Sequence, residues 1–550
     1  MHWIKIYDEF GTFLKKVPAL KKQNLFNILQ KSGFSFPQNC GGIGKCKKCY
    51  VYILSPYSSK KEKVLSCQYT INHDLKVFIP ITNYNIYSRI EIQNVKRKKI
   101  IREKSIPYPP TPEEKNLIHY VEKSTKRKIL NKTFFINSLS EDFFLKKEIK
   151  LFISSKHIFA CKKKYKYFLL LDLGTTTLNL VIKDFSSNTV LTHSIFNPQI
   201  KYGSDIISRI NSIIENKHLL KEMSESVLNT LIFILNENNI SPHEILCIII
   251  AGNAVMEHIF AEISPISIGF APFIPIWNGG EWRIKENFLT YFFPIINGFL
   301  GGDILADLYY LNEEDNFLLI DLGTNGEIAL KSNGRIIATS CAAGPAFEGG
   351  NIELGMPAIK GAIYKIKNGE ISTIENSSPK GICGSGIIDF IFEIYGENII
   401  NKDGTIIEGK KQSNNFIIKK EKVFLKNTHI YLTQKDIREF QNAKSAIWTG
   451  IKILLREAKN YHINKIFIGG GFSHYINTEA LFNLKIFPDE IRNIPVISLG
   501  NVTLKGIEKF LLNIDRYNRE ILKIQKSIFP IDLAMHPLFN DLFPEGMFLA

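Results

Sequence analysis

Cys40, Cys46, Cys49 and Cys67 stand at the spacing C-x5-C-x2-C-x17-C. Thiolates grouped in this way hold a metal centre, either zinc or an iron–sulfur cluster. Further along, Asp172-Leu173-Gly174-Thr175 and Asp321-Leu322-Gly323-Thr324 each close an apolar, strand-like run. A strand ending in Asp-x-Gly-Thr presents backbone N–H groups and hydroxyls to a phosphate, with its carboxylate placed for Mg²⁺ or water. The first group can hold an electron and the second a nucleotide.

Structural zinc sites usually draw on two C-x2-4-C knuckles, and here only Cys46 and Cys49 form one. Three ligands in a tight loop and a fourth 17 residues later are closer to the plant-type [2Fe–2S] layout, with one extra residue in the first gap. Gly41, Gly42 and Gly44 fit that reading, because a loop wrapped around a cluster brings backbone N–H groups close to sulfur. Cys161, Cys247, Cys341 and Cys383 are scattered, and the expectation for them is small buried side chains.

The phosphate turns come as a pair. Asp172 with Thr175, Thr176 and Thr177 would form one clamp, and Asp321 with Thr324 and Asn325 the other, with Gly174 and Gly323 among the nucleotide-binding residues. Either alone also occurs as a plain strand end; two copies with Gly469-Gly470-Gly471 downstream point to nucleotide binding. That order is similar to the actin, sugar kinase and Hsp70 ATPase superfamily: phosphate turn, connector, phosphate turn, adenosine turn. Asp172 and Asp321 are the first candidates for catalysis, followed by Glu327 and Glu348. His258 reads as a packed histidine, and Gly344–Gly350 as a loop lining the nucleotide cleft or, as the alternative, a lobe interface.

The elements that must position these groups are legible in outline. Residues 1–83 read as short strands and one helix, Asn24 to Gly33, with Leu25, Ile28 and Leu29 on one face. A small sheet wrapped on one helix is the β-grasp ferredoxin plan. Residues 84–165 are basic and then proline-rich (Pro107, Pro109, Pro110, Pro112), which predicts a linker region. From Tyr167 a strand–turn–helix grammar takes over. Phe168–Leu171 and Phe317–Ile320 lead into equivalent turns, predicting two similar lobes at 166–298 and 299–550. The whole is expected to be an α/β multidomain chain. Thr433-x-x-Asp436 reads as a capping box opening a helix whose buried face includes Ile437, Phe440, Ile447, Ile451, Leu454 and Leu455.

Bulk composition sets the boundaries. At 550 residues, 45% hydrophobic and 22% charged, the chain has the makeup of a globular protein with several cores. The first residues lack a signal-peptide layout and no uncharged apolar run approaches 18 residues, so a cytoplasmic protein without membrane spans is expected. The net charge is +16, and the densest basic runs, Lys96–Lys99 and Lys162–Lys164, lack interleaved aromatic stacking residues, so nucleic acid is not the expected partner. An acidic protein surface would suit the same charge.

The chain resembles the ATP-dependent reductive activators of corrinoid proteins over nearly its whole length. Cys40-Gly41-Gly42, Lys45-Cys46 and Leu65-Ser66-Cys67 are similar to that family's ferredoxin part. Asn197-Pro198-Gln199 and Gly203 to Ile210 resemble its first lobe. Gly301-Gly302-Asp303, Asp321 to Glu327, Ala343 to Gly349, Gly381 to Gly386, Asp436-Ile437-Arg438 and Ala443 to Ala446 resemble its second. Lys47-Lys48 replaces a glycine-containing pair, Ser473 stands where the family tends to have glycine, and 91–165 matches least.

The resemblance implies a [2Fe–2S] cluster on the four cysteines and ATP with Mg²⁺ between the lobes. It implies a low-potential electron donor, a corrinoid methyl-transfer protein as partner, and a homodimer. The implied reaction passes one electron to Co(II) to regenerate Co(I), at the expense of ATP. The readings set against it are a small-molecule kinase with a redox-sensing ferredoxin domain, a redox-responsive module that binds nucleotide without turnover, and an ATP-driven donor to another low-potential enzyme.

Overall fold

The computed structural model describes residues 2–8, 13–32, 44, 49–56, 60–79, 99–108, 116–139, 148–161, 165–407, 412–471 and 473–549. The N-terminal unit is built on strands β1 (His2–Asp8), β2 (Phe13–Ala19), β3 (Tyr50–Leu54), β4 (Glu62–Leu65) and β5 (Leu75–Ile79). They form one sheet in the order β2-β1-β5-β3-β4, with β1 parallel to β5 and antiparallel to β2. Alternation decides which face is covered: Ile4 and Ile6 are buried while Lys5 between them is exposed. Against that face packs α1 (Leu25–Lys31), which turns Leu25, Ile28 and Leu29 inward as its spacing predicts. The Asn24 side chain caps α1 by accepting from Asn27 N.

The stretch expected as a linker region, 84–165, is in its described part a packed unit. Its strands are β6 (Arg102–Pro107), β7 (Lys128–Ile129), β8 (Glu148–Ile153) and β9 (His157–Cys161), ordered β6-β8-β9-β7. Helices α2 (Leu117–Thr125) and α3 (Lys132–Asn137) accompany them. Ile106, Val121, Phe135, Leu151 and Ile158 make its own core. Phe134, Phe152 and Phe159 join a larger core shared with the rest of the body. The surplus of lysine hides this in the sequence: along β6 only Ile106 is fully buried, so no period shows through. The basic runs Lys96–Lys98 and Lys162–Lys164, and Pro109 to Pro112, lie outside the described residues.

Two larger sheets form the body. The first comprises β10 (Tyr167–Leu173), β11 (Thr177–Asp184), β12 (Thr189–Phe196), β13 (Ile245–Gly252), β14 (Glu281–Lys285) and β15 (Phe288–Phe292). Helices α4 (Ile206–Glu215), α5 (His218–Glu237) and α6 (Ala254–Phe260) cover it, and α7 (Gly302–Tyr310) leads away. The second contains β16 (Phe317–Leu322), β17 (Gly326–Ser332) and β18 (Arg335–Cys341). Two small three-stranded sheets follow, from β19 (Ala362–Lys367), β20 (Glu370–Thr373) and β21 (Gly381–Ile382), then β22 (Phe416–Lys419), β23 (Lys422–Leu425) and β24 (Tyr431–Thr433). The second large sheet is completed by β25 (Lys465–Gly469), β26 (Val496–Gly500) and β27 (Ile528–Pro530).

The sheet orders are β12-β11-β10-β13-β15-β14 and β26-β25-β16-β17-β18-β27. In each, an antiparallel three-strand meander (β10–β12, β16–β18) sets its first strand parallel to a later one (β13, β25). The two halves are therefore the same motif used twice, as the paired strands predict. The helix α8 (Gly384–Gly396) and the long α9 (Gln434–Glu457) complete lobe two. In α9, Thr433 Oγ1 accepts from Asp436 N at 3.0 Å and Asp436 Oδ2 accepts from Thr433 N at 2.9 Å. The expected face of α9, from Ile437 to Leu455, is buried.

Helix α10 (Val502–Leu512) crosses α7 so closely that a Cβ on Gly506 would lie 2.0 Å from the Ala306 carbonyl oxygen. The buried pair Lys183–Glu508 ties lobe one to the same helix. No helix among the described residues is long and apolar enough to cross a membrane.

Asp515 fastens the 99–161 unit to the body. Its Oδ1 accepts from Ser154 Oγ at 2.5 Å and Lys156 N at 3.0 Å, and its Oδ2 from Ser155 N at 3.0 Å and Ser155 Oγ at 2.6 Å. Burial works against the charge, but the His157 ring and these donors outweigh it and hold the carboxyl well below its usual range. Asp515→Ala leaves the donors of this loop unsatisfied; the expected outcome is a loss of about 2–3 kcal/mol, read by urea unfolding.

Candidate functional site

The turn after β10 and the turn after β16 face each other across one cleft. Asp172, Gly174, Thr175 and Thr176 line it from lobe one, and Asp321, Gly323, Thr324, Asn325 and Glu327 from lobe two. Gly470 and Gly471 line it at the tip of β25. Gly469 ends that strand in register with Asp321, and a Cβ there would stand 2.6 Å from Asp321 Oδ1. Sequence reasoning did not single out Asn179, Asn253, Asn501 or Thr503, which share the lining, and named Asp303 only within the string Gly301-Gly302-Asp303 that resembles the family's second lobe. The signal for Asn179 and Glu327 is the hairpin: Asp172 pairs with Asn179 across β10/β11, and Asp321 with Glu327 across β16/β17. The repeat thus sets an amide in lobe one where lobe two sets a second acid.

The two turns touch directly. Thr324 Oγ1 donates to Glu348 Oε2 at 2.6 Å, and the Thr176 and Thr324 hydroxyl oxygens are 2.7 Å apart. The Gly344–Gly350 loop thereby sends one carboxyl into the cleft. Asp172 Oδ2 accepts from Asn501 Nδ2 at 2.6 Å and from Asn179 Nδ2 at 3.0 Å. Asn501 caps α10, so the lobe-one acid is hydrogen-bonded to the start of the crossing helix. Asn253 Nδ2 donates to Thr175 Oγ1 at 2.9 Å, and Thr503 Oγ1 to Asp307 Oδ1 at 2.9 Å.

Electrostatically the cleft is a crowd of acids. Burial, with the Asp172 charge adding to it, pushes Asp303 and Asp321 up to about 7. Asp307 and Glu327 are raised well above the carboxylate range, by burial first and then by the neighbouring aspartates. Asp172 and Glu348 are raised by burial against the pull of their amide and hydroxyl donors. Asp307 Oδ2 is buried without a hydrogen-bond partner. Hard carboxylate oxygens crowded at the floor of a phosphate-sized cleft are the donor set that Mg²⁺ takes.

The other residues of interest have quieter roles. His258 Nδ1 donates to the Ala254 carbonyl at 2.7 Å and its ring packs edge-on against Trp277, with burial lowering its basicity. Cys161, Cys247, Cys341 and Cys383 are buried, and burial holds each thiol neutral.

Of the cluster cysteines, Cys40 and Cys46 lie outside the described residues. Cys49 precedes β3 and Cys67 sits in the turn after β4, and the Tyr50–Leu65 pairing brings them side by side. Ser66 fixes this by donating from N and Oγ to the Cys49 carbonyl at 2.9 and 2.7 Å. Asn24 Nδ2 holds the Cys67 carbonyl at 2.8 Å. Burial, then the adjoining Cys67, pushes the Cys49 thiol up to about 12. Gly44 has φ +80°, a conformation that favours glycine. Two buried thiols on pinned backbone offer the soft donors an iron–sulfur centre requires.

Asp303 and Asp321 give the nucleotide-free protein a defined pH response. Their folded values near 7 lie above the roughly 4 of an unfolded aspartate, so the folded state binds protons that the unfolded state has released. Their contribution to stability is complete below about pH 4 and is lost as pH rises through about 7. The expected outcome is a melting temperature a few degrees lower at pH 8 than at pH 6, with the gap narrowed by Mg²⁺ and nucleotide. Thermal scans across that range check it.

Comparison with known proteins agrees with this geometry. The model of the C-terminal domain of RACo, the ASKHA domain, matches residues 315–550, and that of the RACo middle region matches residues 167–314. The corrinoid activation enzyme RamQ of Eubacterium limosum is 30% identical, over 97% of this chain and 97% of its own. The [Co(II) methylated amine-specific corrinoid protein] reductase of Methanosarcina barkeri is 27% identical, over 46% of this chain and 49% of its own. A solved structure, a reductive activator for corrinoid, iron–sulfur protein, covers 100% of this chain and 98% of its own. Its TM-score is 0.70 at 24% identity, a likeness of fold.

Proposed function

This chain belongs to the RACo family, and we propose that residues 1–83 carry the electron while lobes at 166–298 and 299–550 bind the ATP that drives its transfer. The activity is ATP-dependent reductive activation of a corrinoid protein, returning Co(II) to Co(I). The observation that carries the reading is the meeting of two matched strand-end turns across one acidic cleft, joined by Thr176 and Thr324.

Within the cleft, the backbone of Gly174–Thr176 and Gly323–Asn325 holds the phosphates, and Gly469–Gly471 leaves room for the adenosine. Asp172, Asp321 and Glu327 position Mg²⁺ and the attacking water. Mg²⁺ supplies the positive charge that lets these acids ionise together, so nucleotide and cation complete a site that repels itself without them. Cys40, Cys46, Cys49 and Cys67 hold a [2Fe–2S] cluster, which when bound supplies a one-electron carrier of low potential. Cys49 and Cys67 are pre-placed for it by Ser66 and Asn24.

Reduction of Co(II) to Co(I) runs uphill from an ordinary ferredoxin potential, at about 2.3 kcal/mol per 100 mV for one electron. Closing the lobes on ATP supplies the offset through contacts made only in the closed state. A low-potential donor refills the N-terminal unit, and the acceptor is a corrinoid methyl-transfer protein met by a homodimer of this chain.

The test is anaerobic, cluster-loaded protein mixed with a Co(II) corrinoid protein and a low-potential reductant, followed by visible spectrum with and without MgATP. Co(I) is expected only with MgATP. Asp321→Ala is expected to cut the ATP-dependent rate at least about 100-fold while the cluster still bleaches on reduction. An unchanged rate in that variant would overturn the coupling. Cys67→Ser is expected to lose the cluster absorbance and leave ATP binding in place.

A further inference from the structure

Arg209 is fully buried on α4, and its guanidinium is surrounded by neutral acceptors. Its Nη2 donates to the Thr175 carbonyl at 2.6 Å, its Nε to the Gly203 carbonyl at 3.1 Å, and its Nη1 to Gln199 Oε1 at 3.1 Å. Nη1 also stands 2.8 Å from Met256 Sδ. The carboxylate that acts on it, Asp205, is exposed and caps α4 by accepting from Ser208 N at 2.9 Å. Among the described residues no carboxylate is in hydrogen-bonding contact with this guanidinium, and an uncompensated buried charge is costly.

The second observation is what Arg209 does to the turn. Asn197 Nδ2 donates to the Gly174 carbonyl at 2.7 Å and Asn197 N to the Thr176 carbonyl at 2.8 Å. Together with Arg209, three successive carbonyls of the lobe-one phosphate turn are drawn to the side away from the cleft. In a planar trans peptide the following N–H points opposite to the C=O. The N–H groups of Thr175, Thr176 and Thr177 therefore face the cleft that these residues line, as an anion-binding nest.

We infer that Arg209 is the positioning residue for the phosphate chain: it orients the nest, and its buried charge is balanced by the phosphates across one layer of peptides. This rests on the nucleotide reading of the cleft and adds to it a buried cation behind the turn, where the charged side chains that line the cleft are all acids. The charge acts through the peptide dipoles it polarises, so its effect must grow with the number of phosphates. A purely structural brace would act alike on every ligand.

The test measures, by calorimetry on the full-length protein, the affinity of MgATP, MgADP and adenosine for wild type, Arg209→Gln and Arg209→Lys. Gln keeps a donor for the Thr175 carbonyl and removes the charge; Lys keeps the charge and loses the fork. Arg209→Gln is expected to weaken MgATP about 30-fold, MgADP less, and adenosine within about threefold. Arg209→Lys is expected to restore most of the MgATP-to-adenosine ratio. Equal losses for all three ligands in Arg209→Gln, or a ratio in Arg209→Lys no better than in Gln, would overturn the inference. If Arg209→Gln does not fold, the Lys ratio alone decides. Wild type that fails to bind MgATP would instead remove the nucleotide reading on which this rests.

Discussion

Five carboxyl groups line the interlobe cleft with a sixth, Asp307, buried beside Asp303 and Asp321, and their mutual repulsion in a dry space is the constraint to which the rest of the body answers. Asp172, Asp303, Asp321, Glu327 and Glu348 come to the cleft from both lobes and from the helix between them. Asp172, Asp307, Glu327 and Glu348 are met by neutral donors, an amide or a hydroxyl, and among the described residues no lysine or arginine lines the cleft. Such a floor is stable only when protons or a divalent cation neutralise it. The cost is placed where the ligand with its cation can remove it, which makes occupancy of the cleft and the relation of the lobes one equilibrium.

The duplication explains how a chain builds that floor from little information. The first strand of each meander ends in the same Asp-Leu-Gly-Thr string and lies parallel to a later strand, β13 or β25, so the turns arrive as matched partners. That much could be read from Phe168–Leu171 and Phe317–Ile320. What the repeat does not reveal is where its halves differ. Asn179 and Glu327 occupy equivalent register positions, yet one is an amide and the other an acid. Asp303 and Asn501 enter from the starts of α7 and α10, at sequence distances no motif spans. The capping box at Thr433 was legible because it is local, whereas the fold of 99–161 was not, since its core residues are spread thinly among lysines. The cluster loop shows both cases: spacing picks out four cysteines, but only the β3–β4 register shows why Cys49 meets Cys67.

The Asn197–Gln199 turn sits between two parts of the molecule. On one side Asn197 and Gln199 brace the phosphate turn, directly and through Arg209. On the other, Gln30 at the end of α1 donates from Nε2 to the Pro198 carbonyl at 3.3 Å. A neutral bond of that length contributes about 1 kcal/mol, which shifts a docking balance roughly fivefold. The N-terminal unit is thus in contact with the segment that feels the phosphate turn.

The crossing of α7 and α10 has a mechanical consequence. At Gly506 the helices meet backbone to backbone, with no side chain of that residue interlocked between them. Interdigitated ridges resist rotation, but a bare contact point behaves as the pin of a scissor joint. The start of α10, where Asn501 holds Asp172, lies five residues from the pin, about 7.5 Å at 1.5 Å per residue. A turn of roughly 10° there would sweep that end by about 1.3 Å, the scale that separates a loose acid–cation contact from a ligated one. A single missing methyl group therefore sets the gearing between the jaws of this molecule.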